Sequence, residues 1–209
     1  PDPETVTAGD SVTYTLMAED AVGNTWDASG MATFSIEVGA GGAFLDNVYT
    51  SAIAGTWDVT GTYDGLSDMA KLTVEHADAV SVELTPDPET VTAGDAVAYT
   101  VMADDGFGNA WDVTGASMFN VELAAGGSVA VNVYTSEFAG TWDVTGTYDS
   151  LTDTAVLIVE HADAVALVLT PDPETVTAGE SVAYTVTAAD AFSNTWDVTD
   201  EATFSIQTG

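Results

Sequence analysis

The sequence predicts an all-β chain built of tandem two-sheet sandwiches. Three observations predict it: a repeat at fixed spacing, alternation of apolar with polar residues, and turn residues bounding each alternating run. The stretch PDPETVTAG begins at Pro1, Pro86 and Pro171, so the spacing is a constant 85 residues (86 − 1 = 171 − 86 = 85). Residues 1–85 and 86–170 align without a gap and are identical at 55 of the 85 positions, which makes them copies of one structural unit. Residues 171–209 repeat only the first 39 positions.

Within the first repeat the strands are read in order. The first lies at 11–19, where Val12, Tyr14, Leu16 and Ala18 share one face and Thr13, Thr15 and Glu19 the other. Further strands fall at 32–38, weakly at 43–46, at 47–51, at 55–63, at 69–75 and at 79–85. The run at 55–63 sets Trp57, Val59, Gly61 and Tyr63 against Asp58, Thr60 and Thr62. PDPETVTAGD, DAVGN, GAGG, SAIAG and YDGLSD carry the Pro, Gly, Asn and Asp of tight reversals and are read as turns. A unit of 85 residues is close to the roughly 100 of an immunoglobulin-like sandwich and buries a modest core.

The strand at 79–85 opens the next module, so domains are offset from the repeat and meet in EHADAV. The predicted domains are 1–77, lacking its first strand; 78–162, complete; and 163–209, with its first strands only. Opening on Pro1 and stopping mid-repeat, the chain reads as a piece of something longer, its partial modules completed by more chain or by a neighbouring subunit.

Acidic residues number 34 against a single basic one, Lys71, and the two full repeats hold 14 and 13 of them, so the charge is spread along the array. Such a surface repels phosphate backbones and anionic lipid, which argues against nucleic-acid and membrane partners. It favours solubility and cations as counterions. There is no cysteine, so the fold holds without disulfides, and no apolar run reaches the ~20 residues of a membrane span.

AEDAVGNTWDASGMATFSI and ADDGFGNAWDVTGASMFNV resemble the Asp-x-x-Gly-Asn turn and following Phe-bearing strand of bacterial immunoglobulin-like domains of the invasin and intimin type. NVYTSAIAGTWDVTGTYDGLSDMAKLTV is similar to the last three strands of those domains and of filamin-type repeats. The matching positions are Asp20, Gly23, Asn24 and Phe34, then Asp105, Gly108, Asn109 and Phe119; in the third copy Ser193 stands in place of the Gly. The resemblance implies an immunoglobulin-like sandwich in a tandem, surface-exposed role and transfers no activity.

An enzyme is not expected: the chain has one Lys, no Arg and two His, and His76 and His161 occupy the same linker position a whole module apart. The chemical candidate is calcium, which takes six to eight oxygen ligands. The loops at the first junction are expected to bring together Glu75, Asp78, Asp104, Asp105, Asn109, Asp112, Asp149 and Asp153. The competing reading makes these acids solvated turn formers. Trp57 and Trp142 are expected in the core; Trp26, Trp111 and Trp196 either pack the core edge, reach the neighbouring domain or stack on carbohydrate. The function expected is that of a structural extracellular protein, self-associating into a homopolymer as a surface stalk, filament or surface-layer assembly. The alternatives are the spacer of an adhesin and the non-catalytic spacer of a secreted enzyme.

Overall fold

The computed structural model describes residues 1–207; Thr208 and Gly209, the end of the predicted third domain, lie outside the described residues. The chain divides into two compact units, Pro1–Val82 with Met102–Asp112, and Glu83–Val101 with Val113–Gly209.

The first repeat folds as β1 (Glu4–Thr7), β2 (Ser11–Thr13), β3 (Met17–Glu19), β4 (Thr25–Asp27), β5 (Thr33–Ile36), β6 (Ala43–Leu45), β7 (Val48–Thr50), β8 (Gly55–Tyr63) and β9 (Leu66–Glu75). One sheet runs β1-β9-β8-β5 and another β2-β7-β6, with β3 and β4 as a separate pair. Val59, Leu72 and Val74 from the first sheet meet Val12 and Tyr49 from the second in one buried cluster that Tyr14 joins, with Phe34, Phe44 and Trp57 packed around it. Two sheets closed on a shared apolar interior make a sandwich. Trp57 anchors itself by donating its indole N–H to the Ile53 carbonyl at 2.9 Å.

Two strands lie where no strand was read. β1, inside PDPETVTAGD, pairs parallel to β9, Val6 opposite Val74. β4 pairs antiparallel to β3, Trp26 opposite Ala18. The single strand expected at 11–19 is broken between β2 and β3, because loops take up its backbone there. Asn47 donates to the Tyr14 carbonyl, and the Leu16 amide donates to Ser29 Oγ. The break lets one run serve two sheets.

The second repeat duplicates this plan: β10 (Ser81–Thr85), β11 (Glu89–Thr92), β12 (Ala96–Ala98), β13 (Thr100–Asp104), β14 (Ala110–Asp112), β15 (Met118–Val121), β16 (Ser128–Ala130), β17 (Val133–Thr135), β18 (Gly140–Tyr148) and β19 (Leu151–Glu160). Its sheets run β11-β19-β18-β15, β12-β17-β16 and β10-β13-β14. Val97, Tyr99, Tyr134, Val144 and Leu157 are buried in the second unit. The third copy contributes β20 (Ala166–Thr170), β21 (Thr185–Ala189) and β22 (Thr195–Asp197), in that order across one sheet. Among the described residues no helix is long and apolar enough to cross a membrane.

Tyr14 and Tyr99 occupy equivalent core positions, and neither buried hydroxyl finds a hydrogen-bond partner among the described residues. Burial, helped by the charges of Glu4 and Glu89, pushes both phenols up from 10.0 to about 12. A raised acid favours the fold while it stays neutral, so this contribution is whole below pH 10 and is lost as pH rises towards about 12. Phenolate absorbance and near-ultraviolet circular dichroism followed together from pH 9 to 13 are expected to show these tyrosines ionising as tertiary structure is lost. Ionisation of all seven tyrosines near pH 10 in the intact fold would contradict this.

Candidate functional site

The Asp-x-x-Gly-Asn segment of the second repeat forms a closed polar knot in the first unit. Asp105 Oδ1 accepts the amides of Phe107 (2.9 Å) and Asn109 (3.1 Å), while Oδ2 accepts Ala77 N (2.8 Å) and Asn109 Nδ2 (2.7 Å). Four donors fill the about four acceptor positions of a carboxylate. Asn109 then reaches the loop after β7: its Oδ1 accepts Ala54 N at 2.7 Å and its Nδ2 donates to the Ala52 carbonyl at 2.9 Å. One Asp-Asn pair thus ties the loop between β13 and β14 to the loop at Ala52–Ala54 and to the linker after β9.

Aromatic contacts close over the knot. His76, in the linker, stacks on Trp111 with ring centroids 3.6 Å apart and planes 10° from parallel. The Phe107 ring lies against Gly9, whose φ is +94° and where an added Cβ would stand 2.6 Å from Phe107 Cζ, so this turn needs glycine for both space and conformation.

The second unit repeats the arrangement 85 residues on. Asp190 Oδ1 accepts Phe192 N (2.9 Å) and Asn194 N (2.9 Å), and Oδ2 accepts Ala162 N (2.9 Å) and Asn194 Nδ2 (2.8 Å). Asn194 bonds Ala139 N at 2.8 Å and the Glu137 carbonyl at 3.0 Å, and His161 stacks on Trp196 at 3.5 Å. Ser193 takes the position of Gly108 and adopts the same left-handed backbone, φ 71° against 93°.

Electrostatics follows the hydrogen bonds. Burial pushes the Asp105 carboxyl up, but donation from Asn109, Ala77 and Phe107 outweighs it and holds the group below its ordinary 3.8. Asp190 is lowered in the same way against the same opposing burial, through Asn194, Ala162 and Phe192.

In the first repeat the turn stands open. Asp20 still gathers Val22 N, Asn24 N and Asn24 Nδ2, but Asn24 Oδ1 receives no hydrogen bond among the described residues. Val22 replaces the Phe and is exposed, and Trp26 is 39% exposed.

Of the eight residues expected around calcium, six belong to the first unit and Asp149 and Asp153 to the second. Asp105 and Asn109 meet, but as the knot just described. Their side-chain oxygens accept from N–H donors. Asp104 accepts Gly106 N and Asp153 accepts Leu84 N. Glu75 ends β9, Asp78 lies in the linker, Asp112 ends β14 and all three are exposed; Asp149 sits in the turn between β18 and β19. Among the described residues no group of three or more His, Cys, Asp or Glu side chains is placed to hold a metal. The residues missed by sequence reading are Ala52, Ala54 and Ala77, which act through backbone atoms, and His76 as the stacking partner of Trp111. The recurrence of His and Trp at the same 85-residue spacing was the one available signal.

Fold and knot together define an all-β protein of tandem immunoglobulin-like β-sandwich domains with a period of 85 residues. No family model matches the chain, and no curated protein sequence matches it. Among solved structures it is similar to surface-layer protein SbsC domains 4–9, at 17% identity and a TM-score of 0.36, over 92% of this chain and 34% of that one. The chain therefore spans about a third of that structure's length. It is also similar to the extracellular cadherin domains 1–4 of protocadherin gamma B7 (13% identity, TM-score 0.39, 90% of this chain and 57% of that one). A titin segment matches at 11% identity and a TM-score of 0.33, over 78% of this chain and 95% of that one.

Proposed function

We propose that this chain is a structural extracellular protein whose immunoglobulin-like repeats build a surface stalk, filament or surface-layer assembly by self-association. The observation that carries this reading is the knot itself. The same Asp, Asn, Phe, Trp, His and alanine amides meet in each unit, with corresponding hydrogen bonds within 0.2 Å of each other. A chain that spends its buried polar groups on reproducing one junction at fixed spacing is organised for regular construction. Its dispersed acids, net charge −33, keep such a surface soluble and deter non-specific packing. Two measurements test the reading. Immunogold labelling of cells that make the protein is expected on the outer surface, and electron micrographs of the purified protein at rising concentration are expected to show uniform filaments or sheets. Label confined to the cell interior, or separate particles at every concentration, would overturn it.

A further inference from the structure

We infer that β16 is an open edge strand through which the second repeat pairs with the same strand of a second copy of this chain, antiparallel and centred on Val129. β16 ends its sheet, with β17 on one side and no strand on the other among the described residues. Its edge is bare although β10 to β19 are all in place around it. Charge and proline are what ordinarily guard a free edge. Both are missing here: residues 123–136, between Glu122 and Glu137, are the longest run of the chain without a charged side chain, and they contain no proline. Two copies, each of net charge −33, repel one another, and this uncharged stretch is where they meet at least cost.

Two further observations point to a partner. A cavity of about 320 Å³ opens between β15 and β16, lined by Phe119, Val121, Leu123, Val129 and Tyr134, and Leu123 is 98% exposed. The turn after β16 is apolar at a local cost. Val131 holds φ 59°, in the left-handed region that β-branched residues avoid, and it is 82% exposed. The first repeat has Asp46 at this position, φ 55°, a residue that accepts such a backbone more readily. An exposed valine recovers little of that strain within its own chain; covered by an apolar partner surface it recovers more. A two-fold pair centred on Val129 sets Val131 of each copy opposite Gly127 of the other, on the rim of the cavity. Main-chain hydrogen bonds then join the two edges, and Val131 seats in the apolar opening beside them. In the first repeat Asp46 follows β6 with a charge, so the contact selects β16 for β16.

This rests on the assembly reading and names one contact within it. The chain has no cysteine, so single-cysteine variants of the whole chain each report one position. With a short bismaleimide cross-linker, Ser128→Cys is expected to give covalent dimers at least about tenfold faster than Ser67→Cys, the same change at an exposed residue of β9. Val131→Asp, which gives the second repeat the residue of the first, is expected to keep or raise the melting temperature. In sedimentation velocity it is expected to weaken self-association at least about tenfold, because it takes both valines from the contact and puts two carboxylates there. Equal cross-linking of the two cysteine variants, faster joining of Ser128→Cys to Ser67→Cys chains in a mixture than to itself, or undiminished association of Val131→Asp would overturn the inference. Any of these in a wild-type chain that still assembles removes the β16 contact and leaves the assembly reading in place, whereas a wild-type chain that stays separate at every concentration overturns both.

Discussion

Asp105→Ala is expected to cost about 3 kcal/mol of unfolding free energy, while Asp20→Ala, the same change in the same turn, leaves the denaturant midpoint where it was. The difference lies in burial. Asp105 is 2% exposed and accepts four hydrogen bonds, so its loss strands the amides of Ala77, Phe107 and Asn109 away from water. A buried donor left without an acceptor costs about 1–3 kcal/mol, and local relaxation recovers part of the sum. Asp20 works in the open, where water replaces the carboxylate. Against the ~4–13 kcal/mol expected of a module of this size, the first loss is large. The acid limb of the stability curve provides a second readout. The folded Asp105 carboxyl titrates below 3.8, so its contribution is whole above that pH and vanishes as pH falls through the lowered value. Urea unfolding of wild type and both variants from pH 2 to 7 is expected to show a shallower acid slope in Asp105→Ala than in wild type. Equal midpoints for Asp105→Ala and Asp20→Ala would show that the knot contributes nothing.

How far each element was legible depended on whether its determinants were local side chains. GTWDVTGTY alternates without interruption, and β8 falls on the expected residues 55–63. β1 went unread because its determinants are distant: Pro, Gly and Asp dominate its neighbourhood, and the parallel partner that makes Glu4–Thr7 a strand lies at Leu72–Glu75. The break between β2 and β3 hid for a related reason, since it is set by Asn47 and Ser29, far along the chain from Tyr14 and Leu16.

The site divides in the same way. Asp105, Gly108 and Asn109 were legible as a turn, because Asp and Asn favour such geometry and Gly supplies the left-handed backbone. Their role was not legible. Read as an acidic cluster, the residues suggested a cation; placed in the fold, the carboxylate is satisfied by N–H groups of Ala77, Phe107 and Asn109. Any residue other than proline carries such an amide, so no composition or spacing marks the partners. His76 and Trp111 did leave a mark, each recurring at the repeat period, yet only the fold shows that one lies flat on the other.

Leu84→Ala is expected to lose about 2–5 kcal/mol, the range for truncating a buried leucine whose surroundings cannot collapse. Its site is of that kind. Gly146 offers no side chain to swing into the gap, and Val101 Cγ2 already lies 3.0 Å from where a Cβ on Gly146 would stand. The matched change Leu169→Ala, at a leucine 47% exposed, is expected to move stability by less than about 1 kcal/mol. Leu84→Met, which keeps most of the volume, should restore all but about 1.5 kcal/mol. Urea midpoints at constant slope for the three variants check the set. If Leu84→Ala proves as mild as Leu169→Ala, leucine is not what fills the space beside Gly146, inside β18. A large loss at Leu84 alone makes that side chain the energetic centre of the strand's attachment, with the Asp153 carboxylate fixing its register through the Leu84 amide.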